Sequence, residues 1–177
     1  WDITTSALPM QVKQLFRRTV DTGIKHGTVT VMMGDTGYEV TTYRIDGNYA
    51  DGRHPDSVEF SANLRDDLKR RDFTINAMAY NNSDGLVDEF NGIGDLQAGI
   101  VRCVGDARER FTEDALRMMR AIRFSAQLGF IIDEDTYSAI GAMADTISKV
   151  SMERIHDELG KILMSDHPDY VKRLCDT

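Results

Sequence analysis

The hydrophobic pattern of this chain changes once, near residue 104, and that change limits the folds open to it. Before it, two runs rich in Val, Thr and Tyr, residues 27–33 and 38–44, flank Gly34-Asp35-Thr36-Gly37 and read as a β-hairpin. Residues 86–90 and 100–104 read as short strands around a turn-rich segment, 91–95. After Asp106 every periodic segment is helical. Residues 113–128 end at Gly129, residues 134–145 are entered from Asp133, and residues 151–164 are capped by Ser151. Pro168 reads as the first position of one more helix. Strands first and helices later predict an α+β domain over residues 1–104 and an all-helical one over 105–177. Within the first domain, residues 9–22 read as a helix closed by Gly23, and residues 62–79 as a helical stretch broken near Asp72. Residues 46–56 mix Gly, Asn, Asp, Arg and Pro without periodicity, the mark of a long loop of the kind that often acts in function.

Composition excludes some classes. No run approaches the ~18 apolar residues of a membrane span, and no basic-then-apolar leader opens the chain. Cys103 and Cys175 stand far apart and in no metal spacing, which reads as cytoplasmic thiols. The four histidines do not pair at zinc spacing either. A net charge of −8 argues against a surface covered in basic residues for nucleic acid, and leaves room for a local basic cleft.

Four segments hold residues with chemical potential. Asp2, before Ile3-Thr4-Thr5, is by itself a cap or turn residue. Glu39 shares a strand face with Thr41 and Tyr43. It reads equally as a carboxylate beside Asp2 and as a solvent-facing residue paired with a cross-strand Thr. Asp66-Asp67-Leu68-Lys69-Arg70-Arg71-Asp72-Phe73 is by composition a solvated charge run, with an i,i+4 pair between Asp66 and Arg70. On helix 113–128, Ala115, Met118, Met119, Ile122 and Ala126 form one apolar face. Glu113, Arg117 and Arg120 lie opposite, with Asp114 and Arg123 on the flanks. Glu113 and Arg117 form an i,i+4 pair, and of the three arginines at three-residue spacing the later two, Arg120 and Arg123, have no acid after Asp114 to balance them. On residues 151–164, Ile155, Leu159 and Ile162 mark a packing helix.

In order along the chain, these segments resemble the class II tRNA nucleotidyltransferases and the bacterial poly(A) polymerases. Trp1-Asp2-Ile3-Thr4-Thr5 resembles the end of the family's first motif, in which two aspartates are separated by one residue. Asp2 takes the second place, and the first would precede Trp1. His26-Gly27-Thr28-Val29 is more like the CCA-adding members. Arg70-Arg71-Asp72-Phe73-Thr74-Ile75-Asn76-Ala77 matches the second motif, and Glu113-Asp114-Ala115-Leu116-Arg117 the nucleotide-selecting motif. Ser151-Met152-Glu153-Arg154-Ile155 resembles a later family segment.

The resemblance implies a polymerase-β-like nucleotidyltransferase head with a mixed sheet, then a helical neck, cut at both ends. It implies Mg2+ held by Asp2, with Glu39 as a second catalytic carboxylate. Arg71 meets the phosphates or sugar of the nucleotide, while Asp72 is either catalytic or a cap. Asp114 and Arg117 read the base, and Arg120 and Arg123 support that pair or meet phosphates. The loop of 46–56 acts during synthesis. The implied partners are CTP, ATP and the 3′ end of tRNA, with no membrane; the oligomeric state stays open. Poly(A) addition, CC-only or A-only addition, and a non-catalytic RNA-binding module remain as alternatives.

Overall fold

The computed structural model describes residues 2–47 and 57–174. The functional loop expected over 46–56 lies, from residue 48 onward, outside the described residues. The described residues form two compact units, one of 2–47 with 57–70, the other of 71–174. This division by packing falls ahead of residue 104, where strands give way to helices in the sequence.

In the first unit, β1 (Ile3–Thr5) is followed by α1 (Pro9–Leu15), β2 (Thr19–Gly23), β3 (Thr28–Met33) and β4 (Thr36–Thr42). They build a four-stranded mixed sheet in the order β1-β4-β3-β2, with β1 parallel to β4 and the other pairs antiparallel. The hairpin expected from the sequence is β3–β4, with Val29 opposite Val40 and Thr30 opposite Glu39. Alternation puts Val29, Val31 and Val40 on one face, where they pack with Val12 of α1.

The helix expected over 9–22 is half that length. Pro9 starts it, and the backbone is extended again at Phe16. The run Thr19-Val20-Asp21-Thr22 then goes to the sheet, because its β-branched side chains suit a strand. Thr19 pairs with Val31, and the Thr22 and Thr30 hydroxyls share a 2.9 Å hydrogen bond. Gly23 therefore ends a strand rather than a helix.

A short hairpin of β5 (Arg44–Asp46) and β6 (Val58–Phe60) precedes α2 (Leu64–Lys69). The expected Asp66–Arg70 pair does not form. Asp66 instead accepts from the Ser61 hydroxyl at 2.6 Å, and fully buried Asp67 accepts from Arg70 Nε and Nη2 at 3.0 and 2.7 Å.

The second unit starts with residues that were expected to extend a helix to 79. Thr74 N–H donates to Arg102 O (2.9 Å) and Val104 N–H to Asp72 O (3.0 Å), so residues 72–74 are held as an extended bridge. One 3₁₀ turn, Thr74–Asn76, leads into the hairpin of β7 (Met78–Asn81) and β8 (Gly85–Asp88).

The turn-rich residues after it hold α3 (Gly92–Ala98), because the Asp88 carboxylate caps Gly92 and Ile93 N–H at 2.7 and 2.9 Å. A Cβ on Gly92 would lie 2.3 Å from Thr74 O, so only glycine fits there. β9 (Ile100–Val101) follows and pairs in parallel with β10 (Ile131–Ile132).

The remainder is helical: α4 (Ala107–Glu113), α5 (Leu116–Leu128), α6 (Glu134–Met143) and α7 (Met152–Leu163), then a 3₁₀ segment, Pro168–Leu174. α5 ends at Gly129, which caps it in the left-handed conformation (φ 68°). Asp133 caps α6 as expected, whereas the Ser151 hydroxyl makes no capping bond to α7. The apolar face expected on α5 is the core of the unit. Met118, Met119, Ile122 and Ala126 are all buried, along with Phe73 and Phe111. Among the described residues, no helix is long and apolar enough to cross a membrane.

Candidate nucleotide site

The polar face of the first unit's sheet carries Asp2 and Glu39. Thr4 is registered with Thr41, and the Thr41 and Thr28 hydroxyls bond at 3.0 Å. Alternation puts Asp2 on the Thr4 face and Glu39 on the Thr41 face, which are one face. One step beyond the Ile3–Val40 pair, the register brings Asp2 beside Glu39. Both side chains are exposed. Two carboxylates on one sheet face suit Mg2+, which takes one or two protein carboxylates and fills its octahedron with water and phosphate oxygens. Among the described residues, no three His, Cys, Asp or Glu side chains gather into a fuller metal cluster.

The second unit carries Arg71, Asp72 and the residues of the helical motif. Arg71 is half-buried and directly precedes Asp72. Asp72 is 8% exposed and fully engaged. Its Oδ1 accepts from Phe73 N–H at 2.9 Å, and its Oδ2 from Arg120 Nε at 2.7 Å and Nη2 at 2.6 Å. Asp72 does not cap a helix as expected, because Phe73 is extended and the 3₁₀ turn after it has no side-chain cap; the carboxylate instead holds its neighbour's N–H and anchors Arg120, a residue 48 positions away.

The motif expected on one helix spans a break. α4 stops at Glu113; Asp114 is extended (φ −150°, ψ 105°), and α5 starts after Ala115. The break comes from the Asp114 side chain, whose Oδ1 accepts from Leu116 N–H at 3.1 Å and caps the new helix. Its main-chain oxygen accepts from Arg117 N–H at 3.0 Å, so the two residues still share the first turn of α5. Arg117 pairs with Glu113 and donates to Arg110 O at 3.2 Å, and Arg110 pairs with Glu113 at 2.5 Å. From α7, Arg154 forks onto Asp114, Nη2 to Oδ2 at 2.7 Å and Nη1 to Oδ1 at 3.3 Å. An acceptor and a donor, Asp114 and Arg117, stand at one helix start, each oriented by an opposite charge.

The acids missing from the local sequence are supplied at long range. Arg123, 9% exposed, gives Nε to Glu158 Oε2 at 2.6 Å and Nη1 to Gln127 at 2.8 Å, and its guanidinium stacks 3.9 Å from the Phe124 ring centre. Burial acts to raise the Glu158 carboxyl, but hydrogen bonds and charge from Lys161 and Arg123 hold it below the usual carboxylate range. Glu158 and Arg154 flank the apolar face of α7 at i,i+4. That spacing was the one signal that the packing helix also holds charges inward. Cys103 is buried, and that burial pushes its thiol up to about 12, which leaves it a protonated packing group.

A carboxyl held low in the folded state adds stability above its unfolded pKa, and this is lost as pH falls through the carboxylate range. Arg123→Met should cost about 3 kcal/mol at neutral pH, as for a broken buried pair, read by urea unfolding. The deficit should narrow as pH falls through the carboxylate range and Glu158 protonates. A variant as stable as the parent at pH 7 would contradict this role.

Residues 1–102 match the family model described as the poly A polymerase head domain. Residues 129–177 match one described as a probable RNA and SrmB-binding site of polymerase A. The chain is 54% identical over 163 residues to the CCA-adding enzyme of Leuconostoc mesenteroides, covering 92% of this chain and 41% of that protein. It is 54% identical over 167 residues to the CCA-adding enzyme of Lactiplantibacillus plantarum, covering 94% and 41%. The Bacillus stearothermophilus CCA-adding enzyme in complex with CTP matches with a TM-score of 0.88 at 43% identity, over 98% of this chain and 42% of that one. The Thermotoga maritima CCA-adding enzyme complexed with tRNA matches with a TM-score of 0.72 at 28% identity, over 94% and 38%. The chain spans about two-fifths of the length of these relatives.

Proposed function

The chain belongs to the family of the poly A polymerase head domain, and from that premise we propose that it carries the catalytic and nucleotide-selecting part of a CCA-adding enzyme. The proposed reaction is template-independent transfer of CMP and AMP from CTP and ATP to the 3′ end of tRNA, in the cytoplasm. The names of its relatives and the nucleotide and tRNA complexes of its structural neighbours support this reading.

The observation that carries it is the supported pair at the start of α5. Cytosine and adenine each present an amino donor beside a ring-nitrogen acceptor on the pairing edge. A carboxylate accepts from the first, and a guanidinium donates to the second. Asp114 and Arg117 take those roles. Guanine and uracil present a carbonyl beside an N–H, so both contacts fail.

Residues 1–104 act as the catalytic head and 105–177 as the selecting neck. Asp2 and Glu39 would hold Mg2+, which would supply activation of the attacking 3′ hydroxyl and neutralisation of triphosphate charge. Arg71 holds the phosphates or sugar through its planar fork. Arg120 is fixed by Asp72 beside Arg71 and adds positive charge to the same segment. Arg123 supports the helix through Glu158 and Phe124.

The test uses the intact enzyme and a tRNA transcript lacking its last three nucleotides. With Mg2+ and CTP it should add CMP and release pyrophosphate; ATP should then add one terminal AMP. A chain that ignores CTP and extends repeatedly with ATP would be a poly(A) polymerase. RNA binding without pyrophosphate release would leave only a binding module.

A further inference from the structure

We propose that Arg154 is a positioning residue for nucleotide selection, because it sets the plane and the free acceptor of the Asp114 carboxylate. This rests on the reading of Asp114 as a base-reading residue. In the sequence, Arg154 sits on a helix that reads as packing alone. In the structure it is the third residue of α7, and its guanidinium lies against the carboxylate at the α4–α5 break, 40 residues away.

A carboxylate offers about four lone-pair sites. At Asp114, three are taken in this structure: Oδ1 accepts from Leu116 N–H (3.1 Å) and Arg154 Nη1 (3.3 Å), and Oδ2 from Arg154 Nη2 (2.7 Å). The site left over is on Oδ2, and a base amino group would use it. The backbone bond alone fixes one oxygen and leaves the carboxylate free to turn. The two-point contact from Arg154 removes that freedom, since a planar fork matches a carboxylate plane. Both side chains stay partly open, at 22% for Arg154 and 15% for Asp114, so the pair remains reachable by a ligand. Glu113 in turn pairs with Arg117. Donor and acceptor are each fixed by a group that does not itself read the base.

The experiment measures single-nucleotide incorporation onto tRNA by the intact enzyme with each of the four triphosphates. It compares the parent with Arg154→Met and Arg154→Lys. Methionine keeps the stem and removes the fork; lysine keeps the charge and supplies a single point. Arg154→Met should raise KM for CTP and ATP by about ten-fold or more. It should narrow the ratio of C to U incorporation by a similar factor, with kcat at saturation changed less. Arg154→Lys should fall between. On an Asp114→Ala background, Arg154→Met should leave the ratio unchanged, because no carboxylate remains to be positioned.

A residue that only fastened α7 would lower thermal stability and slow all four nucleotides alike, with the C-to-U ratio of the parent in both variants; that result would overturn the proposal. Should Arg154→Met fail to fold, the Arg154→Lys ratio decides it by the same criterion. A parent enzyme that transfers neither CMP nor AMP would instead overturn the functional reading beneath it.

Discussion

Replacing Asp2 with alanine in the intact enzyme should lower CMP and AMP incorporation by at least about a thousand-fold and leave the fold unchanged. The size follows from its proposed work. A metal-held nucleophile and a neutralised triphosphate are worth several kcal/mol of barrier, and each ~1.4 kcal/mol is ten-fold in rate. Mg2+ demands near-ideal octahedral geometry and takes few protein carboxylates, so Glu39 alone would hold it poorly. The fold should survive because Asp2 is exposed and precedes β1, whose pairing with β4 runs from Ile3 to Thr5. Circular dichroism and thermal unfolding check the fold, and primer extension with CTP checks the activity. Near-normal turnover by a folded Asp2→Ala enzyme would remove Asp2 from the mechanism.

Local patterns were legible where local contacts decide the structure. Two runs rich in Val, Thr and Tyr around Gly34–Gly37 marked a hairpin, and the spacing of Met118, Met119, Ile122 and Ala126 marked the buried face of α5. Long-range pairing overrode local pattern elsewhere. Residues 19–23 continue a plausible helix until β3 offers Val31 and Thr30 as strand partners. Residues 72–74 leave the helix because residues 102–104 hold their backbone. The break at Asp114 has no glycine or proline to announce it. It depends on a side chain that caps the next helix and on an arginine from α7.

The candidate site divides in the same way. The motif residues are readable from the sequence, including Asp2 and Glu39, whose neighbouring places follow from the β1–β4 register. Which residues support them was not readable, beyond the i,i+4 spacing of Arg154 and Glu158 on α7. Arg120 and Arg123 have no balancing acid after Asp114 on their own helix, and their partners Asp72 and Glu158 lie 48 and 35 positions away in sequence. No periodicity argument reaches that far.

Removing the Asp114 carboxylate should abolish the preference for C and A more than any other single change in the second unit. On the proposed reading, the amino group of each base loses its acceptor, and the carbonyl of U or G no longer meets a second acceptor oxygen. One good two-point contact discriminates by ~1–3 kcal/mol, so the loss of preference should be roughly ten- to hundred-fold. Exchanging the two proposed readers, Asp114→Arg with Arg117→Asp, would be a poorer test. It would set arginine against Arg154 and aspartate against Glu113, the supports that now orient the pair. Asp114→Ala removes one reader and creates no like-charge contact.

Single-turnover incorporation of each of the four nucleotides onto tRNA, by the intact parent and its Asp114→Ala variant, is therefore the most direct measurement. The account predicts that CMP and AMP incorporation fall together while UMP and GMP stay at their low level or rise, so that the ratio collapses. An Asp114→Ala enzyme that still prefers C and A by the parent's ratio would contradict it, and the start of α5 would then be an ion-paired helix junction with no part in selection.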